Sequence, residues 1–333
     1  MFDLSPSVLR RAMMSRLVKL LFLLCVFSPI ASAVDSPSYA GKRVYYVASY
    51  HQGYPWSDAI LKTIQEVFAD KDIIFEHFEM DGKRNPSVEH NQQVALQAKA
   101  NIENFHPDLL IVSDDNAAKY LVEPYFNGNL PVVFCGVNRD VSAYHFNTQT
   151  VTGMIEVELL NRLVYNLKEY AHGNRLGFIG MDGYTEHQFP DYAHSLFNIQ
   201  LDKTYFVKNF EEWKREFIKA QQEVDMLLIH NPDGLPQWNH AEARAFVEAN
   251  TQIPTGTTSS YTTQVSLIGI IRLPEEQGRW AAETALRILG GESIEQIPFV
   301  TNKEGRLVIN LRLGNKLKIT FKSALLRIAE IIR

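Results

Sequence analysis

Short apolar runs rich in β-branched residues alternate with amphipathic stretches along most of the chain. Val44–Ser49 reads as a strand. Ser57 can cap a helix that turns Ile60, Leu61, Ile64, Val67 and Phe68 inward. Ile73–Glu79 is a second strand. Ser87 then caps a helix with Val94, Ala98, Ile102 and Phe105 on one face. Leu109–Val112 is a short strand leading into Ser113-Asp114-Asp115-Asn116 and a helix that ends near Pro124. Pro131 opens the strand Val132–Cys135. Such βαβ repetition predicts a parallel sheet covered by helices.

The pattern then starts again. Leu159–Tyr170 reads as a helix, Leu176–Ile179 as a strand, and a single helix is expected to follow to about Phe197. Thr204–Val207, Met226–Ile229 and Ile253–Pro254 alternate with helices near Trp213–Ala220 and Ala241–Ala249. Pro274 suits the first turn of a helix that Gly290-Gly291 ends. Two βα arrays in tandem, with no low-complexity linker, predict an α/β fold of two similar lobes facing a cleft.

The N-terminal pattern differs. Arg10, Arg11, Arg16 and Lys19 precede an apolar run, Leu20–Ile30, too short for a membrane span, and then Ala31-Ser32-Ala33. This order predicts a signal peptide over residues 1–33, cleaved after Ala33, and hence a periplasmic product. The whole chain holds 33 basic and 38 acidic residues, net −5. Cleavage would remove four basic residues and one acid, leaving 29 and 37, net −8. That balance argues against a nucleic-acid partner, which would need a basic face. Only Cys135 would remain, inside an apolar run, where a buried inert thiol is expected.

Candidate chemistry collects where strands end. In open α/β sheets ligands bind outside the carboxyl ends of the strands. The loop Ser49–Trp56 after the first strand carries Tyr50, His51, Tyr54 and Trp56. Turn formation needs none of them, and together they could stack a ring-bearing ligand. Pro55 disfavours helical geometry at Tyr54 and keeps that side chain ahead of the helix. Trp56 is the member best suited to lobe packing. Asp114 and Asp115 precede a helix, where carboxylates can cap free N–H groups and also touch a ligand. Asn138 ends another strand and can donate and accept. Glu156 lies where the chain is expected to cross between lobes. In the second half Asp182, Tyr184, Asn231, Asp233, Ser259, Ser260 and Tyr261 take equivalent positions. Asp81, Lys83 and Arg84 fit either a salt-bridged turn or a charged rim.

Motifs for enzymes are missing. There is no Gly-rich dinucleotide loop, P-loop, His-Glu-x-x-His helix or Gly-x-Ser-x-Gly elbow. His77, Glu79 and Asp81 share one face of a strand and could ligate a metal, but a solvent-facing sheet edge explains them equally well. No metal, cofactor or catalytic residue is expected. A secreted enzyme using Asp114 and Asp115 is the remote alternative.

Ser49–Trp56, Asp81-Gly82-Lys83-Arg84, Pro107–Ala118 and Pro131–Asn138, taken in order, resemble the ABC-transporter substrate-binding protein family. The nearest branch is also found as sensor domains of histidine kinases and diguanylate cyclases. The resemblance implies a type I periplasmic-binding fold of two Rossmann-like lobes with parallel sheets, three crossings and a hinge. It assigns 34–153 with 271–293 to lobe 1, and 154–270 with 294–333 to lobe 2. It also places Ser49, Ser113, Asp233, Ser259 and Ser260 toward the cleft. The implied partners are a small-molecule ligand, such as an amino acid or other ring-bearing solute, and an ABC permease that receives it from a monomeric binder. The alternative partner is a separate membrane kinase or cyclase.

Overall fold

The computed structural model describes residues 38–232 and 234–333. The expected signal peptide and Asp233 lie outside the described residues. Strands and helices alternate as β1 (Arg43–Ala48), α1 (Pro55–Phe68), β2 (Ile74–Glu79), α2 (Val88–Phe105), β3 (Leu109–Ser113) and α3 (Asp114–Ala117). A π-helical segment, Ala118–Phe126, continues α3 before β4 (Val132–Asn138) and β5 (Val151–Glu156). Next come α4 (Leu160–Lys168), β6 (Leu176–Met181), α5 (Tyr184–His187), α6 (Phe189–Phe197), β7 (Lys203–Val207) and α7 (Phe210–Glu223). They are followed by β8 (Met226–Ile229), α8 (His240–Asn250), β9 (Thr255–Thr257), β10 (Ile268–Arg272) and α9 (Pro274–Leu289). The chain ends with β11 (Val300–Thr301), β12 (Gly305–Asn310), α10 (Leu311–Lys316), α11 (Ser323–Ile328) and β13 (Glu330–Ile332).

The strands form two sheets, ordered β11-β5-β4-β3-β1-β2 and β13-β12-β10-β9-β8-β6-β7. Sheet one is parallel throughout. Its central strands β1, β3 and β4 are covered on both faces, which explains their apolar runs. Tyr45, Val47, Leu110, Val112 and Phe134 pack with α2 and the π-helical segment. The alternate residues Val44, Tyr46, Leu109, Ile111, Val133 and Cys135 pack with α1 and α9. Sheet two has its own core, around Phe178, Phe210, Trp213 and Phe217.

Three details differ from the sequence reading. Helix α1 starts at Pro55 with Tyr54 as its N-cap residue, and Ser57 is buried in the first turn with its hydroxyl unpartnered. Proline's fixed φ and missing N–H favour the first helical position, so the cap falls three residues early. The helix expected to run to Phe197 is split in two near Pro190, which cannot donate a helical hydrogen bond. In sheet two, β10 and β12 are antiparallel, with Arg272 opposite Gly305. The chain leaves β11 of sheet one and enters sheet two at its carboxyl edge, so β12 has to run against its neighbour. No helix among the described residues is long and apolar enough to cross a membrane.

The chain passes between the sheets three times, after Glu156, after Arg272 and over residues 302–304. Side chains tie these passages together. Asn302 Oδ1 accepts from the Val157 amide at 2.7 Å. The Glu276 carboxylate at the start of α9 accepts from the amides of Lys303 and Glu304 at 2.7 and 2.8 Å.

Candidate functional site

The carboxyl ends of β1 and β3 form the floor of the site. Ser49 Oγ donates to the Ser113 carbonyl at 2.6 Å and accepts from the Ala117 amide at 2.8 Å. Ser113 Oγ shares a 2.8 Å hydrogen bond with the Tyr46 hydroxyl. Both serines are fully buried, so the structure holds them as braces beneath the edge. The Ser49 hydroxyl, rather than an Asp114 or Asp115 carboxylate, satisfies the Ala117 amide in the single turn of α3.

Asp114 sits above this brace with φ +67°. That left-handed conformation is uncommon for a residue with a side chain. Its Oδ1 accepts from Trp56 Nε1 at 3.1 Å, while Oδ2 is buried without a hydrogen-bond partner. Gly136 makes room for it, because a Cβ there would stand 3.0 Å from Asp114 Oδ1. Burial, then the charges of Glu156 and Asp115, hold the Asp114 carboxyl well above the usual carboxylate range. Asp115 accepts from the Tyr144 hydroxyl at 2.7 Å and from Asn138 Nδ2 at 2.5 Å.

The first loop forms a wall beside these acids. The Tyr50 and Tyr54 rings meet edge to face with centroids 5.1 Å apart, and His51 lies 5.9 Å from Tyr54. The Lys83 ammonium stands 5.4 and 5.2 Å from the two tyrosine rings, within cation–π range. Burial raises the Tyr50 phenol, and Asp114, Asp115, Tyr54 and Glu156 raise it further, so it stays neutral. His51 Nδ1 is buried, 3.5 Å from Asp81 Oδ1, without hydrogen-bond geometry. Asp81 instead accepts two 2.7 Å bonds from the Arg84 guanidinium, making a salt-bridged turn from which exposed Lys83 leans back onto the tyrosines. His77 and Glu79 lie 3.4 Å apart on β2, and Asp81 has turned away to Arg84.

Sheet two meets this cluster through charges. Glu156, at the end of β5 and 6 % exposed, pairs with Arg272 at the end of β10, N to O 2.7 Å. Burial pushes the Glu156 carboxyl up to about 7; Arg272 opposes the rise, and Glu158 and Asp115 add to it. Glu158, Tyr192 and Tyr54 also lie in the field of Arg272. Arg139, another left-handed residue at φ +63°, donates its amide to the Glu156 carbonyl and sets its guanidinium 4.7 Å over the Tyr192 ring. Tyr192 donates its hydroxyl to Glu158.

The other residues expected in the second half line the same edge of sheet two. Asp182 pairs with His187 at 2.7 Å, and Tyr184 is 84 % exposed. Ser259 Oγ accepts from the Tyr261 amide, capping a 3₁₀ turn over Ser260–Val265, with Ser260 and Tyr261 exposed. Asn231 is half-buried at the end of β8. Hydrogen bonds, one ring contact and the charges of Asp114, Asp115 and Glu156 acting on Tyr50 gather Tyr50, Tyr54, Trp56, Asp114, Asp115, Asn138 and Glu156 into one cluster among the described residues. They do not carry Asp182, Tyr184, Ser259, Ser260 or Tyr261 into it. Sequence reasoning missed Arg272, Tyr192, Glu158 and Tyr144. Arg272 had a signal: it is a charge ending the apolar run Leu267–Ile271 just before Pro274.

Residues 203–332 match the family model described as ABC transporter substrate binding protein. No curated protein matches. Among solved structures, the chain resembles a ligand-free, open substrate-binding protein with adhesive properties from Clostridium difficile. The two are 14 % identical, with 88 % of this chain and 99 % of that one covered and a TM-score of 0.67. A periplasmic ribose ABC transporter protein from Conexibacter woesei is 15 % identical, covering 89 % and 100 %, with a TM-score of 0.57. An ABC domain in complex with L-Trp from Streptococcus pneumonia is 18 % identical, covering 88 % and 100 %, with a TM-score of 0.55. The fold is therefore that of the type I periplasmic binding proteins, and residues 203–332 carry the signature of the ABC transporter substrate-binding family.

Proposed function

We propose that this protein captures a small ring-bearing solute between two lobes and delivers it to an ABC permease. The observation that carries this reading is the Glu156–Arg272 pair, which joins the carboxyl edges of the two sheets beside the Tyr50–Tyr54 wall. Aromatic faces with a few directed polar groups are the usual makeup of a small-molecule site. The lobes of this reading are 39–156 with 273–302, and 157–272 with 303–333. Drawn by sheet membership, the three inner boundaries fall at 156, 272 and 302 instead of the expected 153, 270 and 293. The three adjacent passages serve as the hinge on which the lobes close. Delivery to a permease draws its support from the family match over residues 203–332. Export draws its support from the basic–apolar–small order of residues 10–33.

The site is read as a binder, not an enzyme. Asp114 is held by Trp56, and Asp115 by Tyr144 and Asn138, with no nucleophile paired to either among the described residues. Burial raises the Cys135 thiol, which keeps it inert. The test is a thermal-shift screen of purified protein against amino acids, nucleobases, sugars, amines and small peptides. A true ligand raises the melting temperature in step with the logarithm of its free concentration. A screen in which no solute moves the transition would sink the capture reading.

A further inference from the structure

We infer that the captured solute is a ring-bearing ammonium compound, its cation held by Asp114 and Asp115 and its ring laid against Tyr50 and Tyr54. This deepens the capture reading and rests on it.

The acids of the cluster are not equivalent. Glu156 has Arg272, and Asp81 has Arg84. Glu158 accepts from Tyr192. Among the described residues Asp114 and Asp115 have no cationic partner; they accept from the neutral groups of Trp56, Tyr144 and Asn138. Asp114 is 2 % exposed and its Oδ2 accepts nothing. A buried acid oxygen left open beside a second unpaired acid is a vacancy for a donor, and a charged donor fills it best.

The rings give an independent indication. The Lys83 ammonium already rests on the faces of both Tyr50 and Tyr54. Phenol faces that draw in an ammonium suit a cationic ligand, which would take the place of the exposed Lys83 side chain on them, as in aromatic cages. An anionic solute meets the opposite situation. Arg272 is engaged by Glu156, Arg139 lies on Tyr192, and Lys83 lies on the tyrosines, so an anion would find each of these three cations already engaged.

Binding of such a cation is linked to protons. Asp114 is faced by Trp56 from α1, by Tyr46 from β1, by Cys135 from β4, by Tyr50 from the first loop, and by Glu156 and Asp115. Glu156 is faced by Arg272, Glu158 and Asp115. Burial and neighbouring acids favour protonated carboxyls in the free protein. An arriving ammonium favours the ionised form, so protons leave and affinity rises with pH while the amine stays charged.

The experiment is titration calorimetry of the purified protein with tryptamine, tyramine and phenethylamine. It runs beside the neutral alcohols tryptophol and tyrosol and the zwitterions L-tryptophan and L-tyrosine, at two pH values and in buffers of differing ionisation enthalpy. The expected result is an amine bound at least about tenfold tighter than its alcohol, with net proton release. Asp115→Asn and Asp114→Asn should each lose about tenfold for that amine, with thermal denaturation reporting whether Asp114→Asn still folds. Equal binding of an alcohol, tighter binding of a zwitterion or anion, or proton uptake would overturn the cation assignment and leave capture standing. If nothing in this panel or the wider screen binds, capture falls and this inference with it.

Discussion

Asp114 combines a left-handed backbone with a buried carboxyl whose Oδ1 accepts from the Trp56 indole. Trp56→Phe keeps most of the ring packing but leaves the acid unsatisfied, which costs about 1–3 kcal/mol. Urea denaturation should show that loss, and an unchanged midpoint would contradict the assigned role of the indole. Glu156 gives a pH signature. Its carboxyl is raised from the usual 4.5 to about 7, so the unfolded chain ionises first. Its stability contribution is full below pH 4.5 and declines as pH rises toward about 7, by roughly 3 kcal/mol in all. Glu156→Gln should flatten this slope in denaturation series run from pH 5 to 8, although losing the partner of Arg272 lowers stability overall. A slope as steep as that of the wild type would count against the assignment. At this scale the tyrosines, Asp114, Asp115 and Glu156 were legible because polar or aromatic groups at the end of apolar strands have no packing reason to be there. The roles of Ser49 and Ser113 were not, because hydroxyls that brace a floor and hydroxyls that face a cleft look the same in a sequence.

Helices α1 and α9 show how elements fix the site from behind. They pack together under sheet one, and α1 begins at Pro55 immediately after Tyr54. Gly278 lies at their contact, where a Cβ would come 2.6 Å from the Ile60 carbonyl oxygen. Gly278→Ala gains up to about 1 kcal/mol in helix propensity. It also forces the helices apart, at a cost of about 1–3 kcal/mol. The backbone oxygen cannot swing away as a side chain could, so the net expectation is a lower melting temperature; a higher one would mean the helices are not held in this contact. The strands and most helices were legible from their period. The antiparallel pairing of β10 with β12 was not, because direction there depends on which edge the chain reaches after its third passage. The break between α5 and α6 could have been read from Pro190.

At the scale of the molecule, two sheets present their carboxyl edges to one another and three adjacent passages join them. The Glu156–Arg272 pair and the Arg139–Tyr192 contact draw the two edges together near those passages. A partly buried ion pair near a hinge also biases how readily the lobes open. Arg272→Met should therefore shift the solution dimensions seen by small-angle scattering without ligand, and unchanged dimensions would remove the pair from the hinge account. The doubled βα pattern made this architecture legible, whereas Arg139 and Tyr192 lie about fifty residues apart and Glu156 and Arg272 more than a hundred, so no local spacing links them. The most direct test of capture is native mass spectrometry of protein purified from the periplasm, wild type beside a Tyr50→Ala, Tyr54→Ala double variant. The account predicts a single small-molecule adduct on the wild type that the variant loses. A wild type that carries no solute and gains none on incubation with the screened compounds, or an adduct retained in full by the variant, would contradict it.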